Sequence, residues 1–143
     1  ELRALIDKAL GLVDSSASDV ENIETIGEGW TGDESLAMAI YCTVKYFNNF
    51  EQAMIASVNH RGDSDSVGAV TGNILGVVVG YDAIQQSFKD NLELHDVILH
   101  VADDIWNGET TNVKSNKKNS KRNEFNKYRY RSNVQKRYTC NVK

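Results

Sequence analysis

Apolar residues recur with the 3.6-residue helical period over most of the chain. Leu2, Leu5, Ile6, Ala9, Leu10 and Val13 predict a first amphipathic helix, weakened near its end by Gly11. Asp14 to Asp19 is small and polar, a linker with capping potential. Gly27-Glu28-Gly29-Trp30 predicts a turn carrying one large aromatic. Thr31 followed three residues later by Glu34 fits a capping box, with each side chain bonding the other's backbone N–H. Leu36, Ala37, Ala39, Ile40, Thr43, Val44 and Phe47 then mark a helix, which Asn48-Asn49 breaks. Phe50, Ala53, Met54 and Val58 mark another, ending at Asn59-His60. Tyr81 to Phe88 reads as a short helix or turn. Leu92, Leu94, Val97, Ile98, Val101, Ala102 and Ile105 form a last helix, closing at Trp106-Asn107-Gly108. No stretch alternates as a strand would. The fold class is all-α, with five or six helices.

Between these elements lies Asn59 to Gly80, the stretch around which the chain is expected to be organised. Its first part, Asp63-Ser64-Asp65-Ser66, holds two carboxylates and two hydroxyls in four consecutive residues. Its second part predicts a buried central helix. Ser64, Gly68, Gly72, Gly76 and Gly80 recur every four residues, so they share one bare stripe. A glycine inside a helix costs roughly 1 kcal/mol against alanine, so the stripe predicts that another backbone comes close there. Gly80 is expected to cap the helix. The acids have two competing readings. One is N-capping, which Asp and Ser serve well. The other is a hard-cation site, because Mg²⁺ takes such oxygens while keeping several waters. Two acids are too few to hold a metal alone. Arg61-Gly62-Asp63 also spells an adhesion tripeptide, but it abuts a helix rather than a loop tip.

The 143 residues suffice for one domain with a sizeable core. Proline is absent, which suits helices. No apolar run is long enough to span a membrane, so no membrane partner is expected. Cys42 falls in an apolar helical pattern and Cys140 in a polar one. A disulfide is not expected, and a cytoplasmic setting fits. Glu1 opens in mid-pattern without a methionine, so the chain is expected to be part of a longer protein. The net charge of −4 conceals a split. Residues 1–107 carry five Lys/Arg against eighteen acids, and Gly108 onward carries eleven against two. The boundary is therefore placed between 1–107 and 108–143. The basic Asn/Lys-rich tail reads first as a solvated extension. Its alternative is a nucleic-acid contact, with cations on phosphates and tyrosines on bases.

Two motifs together carry a family resemblance. Gly27-Glu28-Gly29-Trp30 with Glu34-Ser35-Leu36-Ala37 and Ala39-Ile40-Tyr41-Cys42 resembles a segment of the ADP-ribosylglycohydrolases. Phe50-Glu51-Gln52-Ala53 and Asn59-His60-Arg61-Gly62-Asp63-Ser64-Asp65-Ser66 resemble two more, and Gly72-Asn73-Ile74-Leu75-Gly76 with Asp82-Ala83-Ile84 continues the likeness. It covers residues 1 to about 107. The resemblance implies an orthogonal multi-helix bundle holding two Mg²⁺ ions, or Mn²⁺ in some members. It implies removal of ADP-ribose from protein side chains or related conjugates. Carried over, Asp63, Asp65 and Ser66 would be metal ligands, and Gly29 and Trp30 would line the ADP-ribose cleft. His60 would brace the metal loop, or be a satisfied structural histidine. No catalytic residue is assigned. The family's Thr-Asp-Asp cluster has no counterpart here. Asp103-Asp104 sits late, on the last helix, where the family has a solvated face. The likeness is thus to the C-terminal half of such an enzyme. The expected function is hydrolysis of an ADP-ribosyl linkage with half the di-metal site supplied here. The alternative is a non-catalytic helical binding module of the same fold.

Overall fold

A computed structural model describes residues 1–108. Among them are seven α-helices, one 3-10 turn and no strand. The helices are α1 (Leu2–Leu12), α2 (Asp19–Ile26), α3 (Gly32–Lys45), α4 (Phe50–Val58), α5 (Ser64–Val79), α6 (Gln86–Asp90) and α7 (His95–Asn107). The 3-10 turn, Tyr81–Ala83, follows α5. The fold class is all-α, as expected. The described residues divide into two compact units, one up to Asn91 and one from Leu92 onward. The basic tail lies outside the described residues, as does Cys140.

The first unit is organised around α3 rather than around α5. Helix α3 packs against α1, α2, α4 and α5. It buries Ser35, Ala37, Met38, Ala39, Tyr41, Cys42 and Thr43, half of its fourteen residues. Small side chains at Ala37, Ala39 and Cys42 let neighbours approach on several sides. Ile23, Met38 and Leu75 are fully buried, each contributing about 1.5–3 kcal/mol of hydrophobic stabilisation. Ala9, Ile26, Ala56 and Val67 complete the core from α1, α2, α4 and α5.

Helix α5 buries one face only, through Val67, Gly68, Thr71 and Leu75. Val77 is 88% exposed and Val78 46%. This corrects the expectation of a buried central helix: within the first unit α3 and α4 pack against one side of α5. The glycine stripe also has a different cause from the expected backbone contact. A Cβ on Gly68 would lie 2.7 Å from Val58 Cγ1, and one on Gly72 would lie 3.6 Å from Met54 Sδ. Side chains of α4 therefore lie in the groove. Nothing lies within 4 Å of a Cβ on Gly76. Gly80 caps the helix as expected, with φ +76° and its N–H on the Gly76 carbonyl.

Helix α2 was not legible in the sequence. It is short, and only Val20, Ile23 and Ile26 are apolar. Its start is a complete capping box: Glu21 N–H donates to Ser18 Oγ at 3.3 Å, and Ser18 N–H to Glu21 Oε2 at 2.9 Å. Its first residue, Asp19, anchors a partly buried polar cluster. The Asp19 carboxylate accepts Tyr41 OH at 2.7 Å, Lys45 Nζ at 2.8 Å and Tyr46 OH at 2.6 Å. Asn22 Nδ2 donates to Tyr41 OH at 3.1 Å. Burial works against ionising Asp19, but hydrogen bonds from Lys45, Tyr46 and Tyr41 outweigh it and hold the carboxyl below its usual range.

In the second unit, α7 ends at Gly108 in the left-handed conformation. The expected solvated position of the late acid pair holds for Asp103 only. Asp104 is buried, with His100 Nε2 3.5 Å from its carboxylate. No helix among the described residues is long and apolar enough to cross a membrane.

Candidate functional site

Two loops meet in the first unit. One, residues 27–31, joins α2 to α3; the other, residues 59–63, joins α4 to α5. Asp63 N–H donates to the Glu28 carbonyl at 2.8 Å. A Cβ on Gly62 would sit 1.7 Å from that carbonyl oxygen, so only glycine allows this contact. The close backbone approach expected along α5 is found here instead. Gly29 has φ +78°, a conformation that favours glycine, and a Cβ on it would meet Val67 Cγ2 at 3.1 Å and the Asp63 carbonyl at 3.4 Å. Trp30, next in the chain, is 69% exposed. The two motifs of the resemblance are thus brought together in space.

Asp63 stands at the N-cap of α5, yet its side chain makes no capping hydrogen bond. Its carboxyl is held below the usual range chiefly by a hydrogen bond with the Asp65 carboxyl. The Ser66 hydroxyl adds to this, while slight desolvation opposes it. Asp65 Oδ1 also accepts the Ser66 N–H at 3.0 Å. Asp63, Asp65 and Ser66 therefore converge. His60 Nδ1 accepts the Gly62 N–H at 3.1 Å, so the neutral ring carries its proton on Nε2. That nitrogen is buried without a hydrogen-bond partner. Among the described residues no lysine or arginine pairs with Asp63 or Asp65; Arg61 pairs with Glu24 at 3.7 Å.

Two carboxyls and a hydroxyl form a donor set of hard oxygens, which suits Mg²⁺ or Mn²⁺ rather than a soft ion. The set is incomplete: among the described residues no group of three or more His, Cys, Asp or Glu could hold a metal ion. The residues present fit part of a divalent-cation site.

The expected capping box at α3 does not form. Thr31 makes no side-chain cap bond; its hydroxyl engages the Asp33 carboxyl, which is thereby lowered. Glu34 reaches past Thr31 to Gly29, accepting its N–H on Oε2 at 3.0 Å. Ser35 Oγ donates to the Gly29 carbonyl at 2.6 Å. Neither residue was a site candidate from sequence. The signal was the Thr31–Glu34 spacing, assigned to the wrong backbone amide.

A family model described as ADP-ribosylglycohydrolase matches residues 1–114. The chain belongs to that family. Its matches among curated proteins include ADP-ribosylhydrolase ARH3 of Homo sapiens, 27% identical over 89 residues, covering 55% of this chain and 24% of the relative. The Bos taurus protein of the same name is 25% identical over 92 residues, covering 57% and 25%. The chain thus spans about a quarter of the length of the curated relatives it matches. No solved structure matches it.

Proposed function

We propose that this chain is part of a metal-dependent hydrolase that cleaves the N- or O-glycosidic bond between ADP-ribose and a protein side chain or related conjugate. The observation that carries the proposal is the convergence of Asp63, Asp65 and Ser66 beside the Gly29-Trp30 loop in a member of this family. Asp63 and Asp65 would hold a divalent cation as anionic ligands, and Ser66 through its hydroxyl. A bound divalent cation supplies positive charge that orients the ribose hydroxyls and activates water at the anomeric carbon. Two ions complete the site in this reading, with further ligands from polypeptide outside this chain. Gly29 leaves room for the ligand and Trp30 offers a ring face to pack on it. His60 holds the Gly62 amide and so the start of the acid loop. Residues 1–107 are strongly acidic, so a diphosphate approaches only once cations offset that charge. The proposal places the protein in the cytoplasm.

The test is ADP-ribose release from a modified protein by the complete polypeptide with and without Mg²⁺. Asp63→Ala should abolish Mg²⁺-dependent turnover while leaving the helical fold intact. Full activity of that variant would show that Asp63 is not a ligand. A second reading, a non-catalytic helical binding module, is favoured because among the described residues no third acid or histidine groups with the pair to hold a metal ion. Retained ADP-ribose binding with no turnover in the complete polypeptide would select it.

A further inference from the structure

One planar peptide unit, Glu28–Gly29, joins the rigid helix α3 to the acid loop. Its N–H points to Glu34 Oε2 at 3.0 Å. Its C=O accepts the Asp63 N–H at 2.8 Å. In a trans peptide the N–H and C=O point in opposite directions, so fixing one aims the other. Among the described residues there is no cis peptide that would alter this. Glu34 is held in place for the task. Its side chain lies over Gly27, where a Cβ would come within 2.7 Å of Glu34 Cδ. The next residue, Ser35, is buried and fixes the following peptide through the Gly29 carbonyl. An ionised acceptor makes a shorter and stronger hydrogen bond than a neutral one. It also polarises the peptide, so that its C=O accepts more strongly.

We propose that Glu34 is a positioning residue for the acid pair, acting through the Glu28–Gly29 peptide to set the place of Asp63. Its carboxylate engages the Gly29 N–H. It orients the peptide plane, the plane holds the Asp63 amide, and that amide fixes where Asp63 and Asp65 converge. Ser35 performs the matching task for Trp30, since the peptide it holds is the one leading into that residue. As the positioning of a cation site, this rests on the function proposed above; as a mechanical relay it does not.

The test is amide hydrogen exchange on the chain carrying Glu34→Ala or Glu34→Gln. Glu34→Ala should speed exchange at the Asp63 amide by about tenfold or more, while protection of the α3 core amides at Tyr41 and Cys42 changes little. Glu34→Gln keeps an oxygen acceptor without the charge and should restore most of the protection. Unchanged Asp63 exchange in Glu34→Ala would overturn the relay. So would a parallel loss of protection at every amide, which marks a general structural role. A second readout uses Mn²⁺ alone, following paramagnetic broadening at the Ser66 amide. Its midpoint should rise several-fold in Glu34→Ala and return toward the wild-type value in Glu34→Gln. An unchanged midpoint would remove the link to the acid pair. Absence of broadening at Ser66 in the unmodified chain would refute the cation site, and the exchange result would still decide the relay.

Discussion

The two ends of α3 each carry a cluster of polar groups, and the clusters are built on opposite principles. At the C-terminal end one carboxylate, Asp19, receives two phenol hydroxyls and an ammonium, and Asn22 satisfies the Tyr41 oxygen in turn. Charge is balanced and the donors converge on one acceptor. Near the N-terminal end two carboxyls face each other, with no lysine or arginine paired to them among the described residues. The His60 Nε2 beside them is buried and unpartnered. The first cluster stabilises the fold as it stands. The second places two carboxyls together with hydrogen bonds but no cationic side chain on them, which leaves room for a cation. Burial and pairing thus separate a structural carboxylate from a candidate ligand more clearly than residue type does.

The largest effect should come from breaking the balanced cluster. Asp19→Ala leaves Lys45 and two phenols without their acceptor and should lower stability by about 2–4 kcal/mol in urea unfolding at neutral pH. Tyr41→Phe removes one donor and should cost about 1 kcal/mol. Near the other end, Gly62→Ala forces a Cβ into the Glu28 carbonyl. It should cost about 2–3 kcal/mol and expose the Asp63 amide to exchange.

The pH dependence follows from the shifted groups around α3. Burial pushes the Cys42 thiol up from 9.0 to about 12. The hydrogen bond to Asp19, with some burial, pushes Tyr46 up from 10.0 to about 12. Raised values mean that this stabilisation is full below the unfolded values and is lost as pH rises through about 12. Asp19 is lowered from 3.8, so its contribution is present above that value and is lost as pH falls through the lower folded one. Thermal midpoints should therefore be flat through neutral pH and fall at both extremes. Asp19→Ala should weaken both falls, the alkaline one because Tyr46 loses its shift.

The smallest effect on stability should come from the acid pair. Asp63→Ala removes a carboxyl whose ionised form the fold favours only through hydrogen bonds at the helix start, and should lower the melting midpoint slightly, well short of Asp19→Ala. A fall as large as that of Asp19→Ala would make Asp63 a structural carboxylate.

Much of this contrast was legible in the sequence, and the rest was hidden for identifiable reasons. Helix α4 and its Asn49 start, the bounds of α5 and the Gly108 stop of α7 follow from local periodicity and breakers. The acids of the site are adjacent in the chain, so a four-residue window suffices to find them. Helix α2 has too few apolar positions to stand out. The hub was misplaced because a glycine stripe shows that something lies in the groove but not what. The side chains of Val58 and Met54 lie there, and α3 holds the centre. Glu34 was assigned to the amide that spacing favours, whereas tertiary packing turned it to Gly29. The Asp19 cluster joins residues 19, 22, 41, 45 and 46, and no local pattern announces contacts across such separations.

The most direct test is residue-resolved Mn²⁺ titration of the chain by NMR, with Asp63→Ala as control. Weak binding is expected, with broadening confined to Gly62–Ser66 and lost in the variant. Broadening spread evenly over the acidic surface, or unchanged by Asp63→Ala, would contradict a partial cation site at this loop.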